Sequence, residues 1–352
     1  MLASLALIIL VGLSAAEICQ RLRLPRIIGM LLTGVLLGPY VLDLLDPSIL
    51  GISAELRQIA LIIILLKAGL SLNLADLKRV GRPAVLMSCL PAGFEILSYV
   101  LLAPALLGVT RLEAAVMGAV LSAVSPAVVV PRMLKLMDEG CGTAKSIPQM
   151  ILAGASCDDS FVIVLFTTFA GMAQGGAVRA ADLLDIPVSI LLGVALGALF
   201  GLELSLLFER AYAAGHLIRN SMKVIVLLGA AFLLMAAEIL LFVLVGAAVD
   251  IRYTLAAGPA AVGMIFAALL FRAAGVAVCL IRTPLTLRER LFCVLAYLPK
   301  ATVQAAIGSV PLAMGLPCGS MVLSVAVLGI LITAPLGAFA MDLTYRRLLT
   351  RE

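Results

Sequence analysis

The sequence predicts an all-α polytopic membrane protein of about eleven membrane segments built on an inverted internal repeat, and three observations predict it. Of the 352 residues, 63% are apolar and 13% charged, and the mean hydropathy is +1.21. Soluble domains carry about 45–50% apolar and about 25% charged residues, so the solvent for this chain is a bilayer. Basic residues alternate between successive connections, and the chain matches itself when offset by 177 positions.

Apolar runs separated by Arg, Lys, Gly or Pro give segments at 2–18, 27–45, 56–72, 84–107, 112–134, 147–172, 186–209, 222–250, 256–281, 290–314 and 318–341. A crossing needs about 20 apolar residues, so each is long enough to span once. The first has small residues near its end (Ser14, Ala16) but no basic residue ahead of it, so it reads as a crossing and not a signal peptide. Connections 1, 3, 5, 7 and 9 and the tail each carry three cations: Arg21, Arg23, Arg26; Lys78, Arg79, Arg82; Arg132, Lys135, Lys145; Arg210, Arg219, Lys223; Arg282, Arg288, Arg290; Arg346, Arg347, Arg351. The even connections hold only Arg57, Arg111, Arg179 and Arg252, which places the N-terminus outside and the tail in the cytoplasm. Lys67, Arg272 and Lys300 lie inside apolar runs.

The seven cysteines are scattered without a C-x-x-C pair and read as apolar fillers, and the single histidine, His216, sits in a connection. A histidine-based metal or proton-relay centre is therefore not expected, nor is any cofactor.

At an offset of 177, Gly69 falls on Gly246, Asn73 on Asp250, Leu74 on Ile251, Ser125 on Thr302, and the acid Glu95 on the base Arg272. The fourth, fifth and sixth segments are thereby paired with the ninth, tenth and eleventh. Five crossings is an odd separation, so the halves enter the membrane from opposite sides. In secondary transporters of this kind the site lies at mid-membrane, where the halves meet.

Intramembrane charge marks that site. Glu95, Asp158, Asp159, Arg272 and Lys300 would together cost on the order of 12–18 kcal/mol if left unpaired at helix centres. Asp158 and Asp159 are adjacent in the sixth segment and, as helical neighbours, point about 100° apart, so they do not form a proton-sharing protease dyad. A carboxylate in a wet, low-dielectric cavity can trade a proton for a small cation, whereas the bland reading is a polar knot tying helices together. In Ser122-Ala123-Val124-Ser125-Pro126-Ala127-Val128-Val129-Val130-Pro131 two prolines each remove a backbone donor. The freed carbonyls and the Ser122 and Ser125 hydroxyls suit a hard cation, or else mark an ordinary proline kink. The repeat mate, Leu298-Pro299-Lys300-Ala301-Thr302-Val303-Gln304, breaks the tenth segment at Pro299. Lys300 there offers a charge to Asp158 or Asp159, as a fixed salt bridge or as a second titrating group. Glu95 and Arg272 read as a structural ion pair. Lys67, Glu203 and Glu238 are weaker candidates that can snorkel to water.

With these residues in view the chain resembles cation:proton antiporters of the sodium/hydrogen exchanger superfamily, and most of all the NHA branch (solute carrier family 9 subfamily B and bacterial relatives). The stretches from Ser122 to Pro131, Ala155-Ser156-Cys157-Asp158-Asp159 and Pro299-Lys300-Ala301-Thr302-Val303-Gln304-Ala305-Ala306 carry the resemblance, with Glu95 and Arg272 as the branch's acid–arginine pair. It implies an antiporter fold with two crossing, partly unwound helices, the fifth and tenth. It implies an ion-carrying core at 84–172 and 256–342, a panel at 1–83 and 222–255 that forms a homodimer, a linker helix at 186–209 and a short tail at 343–352. Asp159 becomes the main ion and proton carboxylate, with Asp158 beside it near Lys300, and with Ser122, Ser125 and Thr302 around the ion. The family usually has two further crossings between Ala236 and Glu238, so 222–250 runs on as one stretch of about 43 Å if helical. That gap reads as a deletion or as an incomplete sequence, and it weakens the expected dimer.

The function expected is not enzymatic. It is secondary antiport of H⁺ against Na⁺ or Li⁺ in the cell (inner) membrane, the ions being substrates and not cofactors. The alternatives are a cation channel and a sodium-coupled organic-anion symporter. An intramembrane aspartyl protease would need its acids on separate helices.

Overall fold

The computed structural model describes residues 2–60 apart from 23, 54 and 58, then 80–175, a few positions between 195 and 206, residue 240, and 242–351. Most of the segments expected at 56–72, 186–209 and 222–250 thus lies outside the described residues, together with Lys67, His216 and Glu238. Six described stretches are long and apolar enough to cross a bilayer: Leu2–Arg21, Arg82–Leu107, Arg111–Asp138, Ile147–Ala173, Gly258–Cys279 and Gly319–Leu348.

Helix α1 (Leu2–Arg21) packs on α2 (Arg26–Leu37). The second segment, expected to run to 45, stops at Gly38 because Pro39 follows. The residue before a proline is driven out of the helical region, and Gly38 is extended, with φ −69 and ψ 172. A helix of 12 residues spans about 18 Å, short of the roughly 30 Å hydrocarbon layer. Asp46 then caps the short α3 (Pro47–Gly51), accepting from the Ser48 amide at 2.8 Å. Gly34 of α2 and Gly246 lie face to face with the opposite backbones. A Cβ on Gly34 would collide with the Val243 carbonyl, and one on Gly246 with the Leu31 carbonyl.

The fourth segment divides at Ser88-Cys89 into α4 (Arg82–Met87) and α5 (Leu90–Leu107), and α5 ends on Gly108 in the left-handed region at φ 68. The fifth also divides, into α6 (Arg111–Leu121) and α7 (Pro126–Asp138). The sixth is one continuous helix, α8 (Ile147–Ala173), and the ninth is α9 (Ile251–Cys279). The tenth becomes three pieces, α10 (Leu287–Ala296), α11 (Thr302–Ile307) and α12 (Val310–Ala313), before the long α13 (Gly319–Leu348).

Equivalent starts appear in both halves. Thr110 and Glu113 form a capping box at α6, and Thr286 and Glu289 form another at α10, each threonine and glutamate satisfying the other's backbone donor. The packing is paired too. Helix α5 lies along α9, its repeat mate; α6 packs on α8 as α10 packs on α13. The two divided crossings, α6–α7 and α10–α11, are brought together in the middle of this arrangement.

Candidate ion-binding site

Why each crossing breaks is local chemistry. Helix α6 ends at Leu121, and Pro126 starts α7 at a position where its missing N–H costs nothing. On the other side Pro299 cannot donate to the preceding turn, and the chain re-enters a helix at Thr302. The breaks brace one another: the Ser125 amide donates to the Pro299 carbonyl at 2.8 Å, and Ser125 Oγ lies 3.2 Å from Thr302 Oγ1. The Lys300 amide is held by Thr333 Oγ1 of α13 at 3.0 Å. Ser125 and Thr302 are 177 residues apart, as are Glu95 and Arg272, so both repeat-related pairs meet in space.

Around this crossing five charged side chains are sealed from solvent. Arg272, from the middle of α9, is the hub. Its Nη1 lies 2.9 Å from Glu95 Oε2 and also donates to the Ser122 carbonyl, its Nη2 lies 3.2 Å from Asp158 Oδ2, and its Nε donates to the Tyr297 carbonyl. The Tyr297 ring stacks beneath the guanidinium at 5.6 Å. Asp158 Oδ2 accepts a second bond, from the Val124 amide at 2.8 Å. Lys300 Nζ reaches Glu95 Oε1 at 2.6 Å and the Leu121 carbonyl at 2.6 Å. Asp158 and Asp159, adjacent on α8, point about 100° apart, and among the described residues Oδ1 of each is buried without a hydrogen-bond partner.

Two expectations need correction. Lys300 was expected opposite Asp158 or Asp159; its ammonium bonds to Glu95 instead, and Arg272 takes Asp158. The cause is reach: the break sets Lys300 beside Leu121 and Glu95, while the longer, forked guanidinium bridges two acids at once. The freed carbonyls of the first break were expected as cation ligands. Those of Leu121, Ser122 and Ala123 are occupied by Lys300, Arg272 and Gln304, and Ser122 Oγ turns back to the Ala119 carbonyl at 3.3 Å. Glu203 is exposed.

Three participants were missed. Tyr297 packs so closely on α8 that a Cβ at Gly154, one turn before Asp158, would collide with its hydroxyl. Thr333 anchors the second break. Gln304 was noticed but given no task. A buried amide in an apolar run is a signal of the same type as the charges, whereas Tyr297 in such a run looks like any core aromatic.

A helical membrane protein whose two halves cross through broken helices over buried acids belongs to a recognisable class of ion transporter. The chain matches the family "Sodium/hydrogen exchanger, transmembrane" over residues 5–241 and 235–342, and it belongs to that family. It is 34% identical to sodium/hydrogen exchanger 9B2 of Homo sapiens over 381 aligned positions, covering 93% of this chain and 70% of that one. It is 29% identical to sodium/hydrogen exchanger 9B1 of Homo sapiens, covering 94% and 73% respectively. The alignment with 9B2 is longer than this 352-residue chain, so the relative carries stretches without a counterpart here. The two family matches overlap at 235–241, the place where missing crossings are expected. The fold is that of the sodium proton antiporter MjNhaP1 from Methanocaldococcus jannaschii, with TM-score 0.73 at 19% identity and coverage of 99% of this chain and 98% of that one.

Proposed function

We propose that this chain is a secondary antiporter that exchanges protons for Na⁺ or Li⁺ across the membrane, with Asp159 as the group that carries either ion. One observation carries the reading: among the described residues, three buried acids at the crossing face two buried bases. Arg272 and Lys300 together neutralise Glu95 and Asp158 through direct contacts of 2.6–3.2 Å. Asp159, 2% exposed, is the remaining acid, with Oδ1 unpartnered among the described residues. Burying a lone carboxylate is costly, so the site is completed by one positive charge, a proton or a small alkali cation, but not by both. Mutually exclusive occupancy of one seat, alternately open to each side, is coupled exchange. Asp158 Oδ1 and the Ser125 and Thr302 hydroxyls are the further oxygens that would complete a cation's shell, and the Glu95–Arg272 pair holds the core together.

The division into panel and core fits the packing. The stretch around Val243–Ala247 lies tightly on α2, and Arg57 Nη1 donates to the Leu244 carbonyl at 3.3 Å, so described parts of 1–83 and 222–255 touch. The alternation of cations supports an inner-membrane protein with its N-terminus outside and its tail in the cytoplasm. A homodimer through the panel belongs to the same proposal.

The test is cation-dependent pH change in proteoliposomes across Na⁺, Li⁺ and K⁺. Asp159→Asn is expected to abolish exchange in a folded protein, and unimpaired exchange by that variant overturns the assignment. Alkali-cation flux without reciprocal proton movement would make the protein a channel.

A further inference from the structure

Gln304 is fully buried in α11, and its carboxamide lies against the first break. Its Nε2 is 2.8 Å from the Ala123 carbonyl and 3.3 Å from that of Leu121. Both neighbours are acceptors, so the amide end must face them and its orientation is settled by chemistry. Among the described residues Oε1 is left buried without a partner, a cost that a residue filling space with an apolar side chain would avoid.

The Ala123 carbonyl and the Val124 N–H belong to one planar peptide. Gln304 holds its carbonyl end, and Asp158 Oδ2 accepts from its N–H end at 2.8 Å. The side chain therefore reaches Asp158 through a single rigid unit without touching it. If the plane turned, both bonds would go together. Among the described residues no other side chain holds the Ala123 carbonyl, whereas the Leu121 carbonyl also has Lys300.

We infer that Gln304 is a positioning residue for ion exchange: the second repeat uses it to lock the Ala123–Val124 peptide of the first, which keeps Asp158 beside Asp159 in the geometry that accepts a cation. This inference rests on the antiport reading above. The lock lies within one body of crossing helices, so it acts on cation binding in every state of the cycle and not on one barrier.

The test is Gln304→Met, which keeps length and bulk and removes the carboxamide, the Nε2 donor together with the unpartnered Oε1. The half-saturating Na⁺ or Li⁺ concentration for exchange is expected to rise about five- to tenfold, the equivalent of one hydrogen bond, with the maximal rate within about twofold of wild type. Gln304→Asn, which keeps the carboxamide on a shorter stem, should fall between the two. The same ordering is expected for the Na⁺ or Li⁺ concentration that half-maximally raises the melting temperature of purified protein, a readout that needs no transport. Unchanged half-saturation in Gln304→Met by both measures overturns the positioning role and leaves antiport standing. Wild-type vesicles without coupled proton movement overturn antiport, while the melting measurement still decides the role of Gln304. Failure of both variants to fold also counts against the inference, since it would make Gln304 a strut only.

Discussion

The two broken crossings share a backbone plan and divide the chemistry unequally. The first break offers the Leu121 and Ala123 carbonyls to side-chain donors, Lys300 and Gln304, from the second, and the second returns only a backbone carbonyl, that of Pro299, to the Ser125 amide. The acids follow the same division: Glu95, Asp158 and Asp159 all come from the first repeat, and Arg272 and Lys300 both come from the second. The repeat is symmetric in topology and antisymmetric in charge, so neither half can bury its own polar groups without the other. Among the described residues the crossing holds one acid more than it holds bases, and that acid is Asp159.

The sharpest way to break this complementarity is to remove the hub. Arg272→Met strands Asp158 in the core and leaves Glu95 to Lys300 alone, and breaking a buried pair costs about 3–5 kcal/mol. The variant is expected to melt far below wild type or fail to accumulate, and adding Asp158→Asn, which leaves the Lys300–Glu95 pair intact, should recover part of the loss. A normal melting temperature for Arg272→Met would mean the halves do not depend on that charge.

Next in size is Gly154→Ala. The added methyl must displace the Tyr297 hydroxyl and with it the carbonyl that receives Arg272, an overpacking cost of about 1–3 kcal/mol. Thermal melting of the purified variant checks it, and Tyr297→Phe in the same chain should relieve the hydroxyl's share of the clash, leaving the tight approach to Met87 Cβ.

The capping boxes sharpen the comparison on a smaller scale. Among the described residues Glu113 bonds Thr110 alone, whereas Glu289 is 1% exposed and also receives Lys145 Nζ at 2.8 Å. Glu113→Ala is expected to cost about 1 kcal/mol, the value of a cap, and Glu289→Ala about 2 kcal/mol because a charge-assisted bond goes with it. Burial pushes the Glu289 carboxyl up, but bonds from Lys145 and Thr286 outweigh it and hold the group below the usual carboxylate range, ahead of the crossing expected at 290–314. The sign follows: Glu289 stabilises the folded chain at neutral pH, and that stability fades as pH falls through the lowered folded value. A melting profile against pH should show Glu289→Gln losing its disadvantage in acid, with Glu113→Gln as the comparison.

The smallest effect is expected at the Arg132–Asp342 pair, 3.0 Å apart but half exposed on the acid side. Asp342→Asn should lower stability by at most about 1 kcal/mol, and added salt should erase the difference.

How much of this was legible depends on contrast. Asp158, Asp159, Glu95, Arg272 and Lys300 stood out because a charge in an apolar run must be explained, and Pro126 and Pro299 because a missing donor interrupts a helix wherever it sits. The stop at Gly38-Pro39 obeyed the same rule but was overrun by the apolar residues after it. Tyr297 and Gly154 carried no contrast at all. Partner choice was hidden for a different reason: spacing along the chain says which face a side chain leaves, not what a helix from the other repeat places opposite it.

Composition, the alternation of cations and the 177-residue offset determined by themselves that the chain is a membrane protein of two opposed halves, since hydration and helix geometry act residue by residue. Which base neutralises which acid, which carbonyls are already taken, and that Asp159 is the acid left over were decided only when both halves packed. Electrostatic pairing depends on distances between groups far apart in the chain, 205 positions for Lys300 and Glu95, and no local pattern contains those distances.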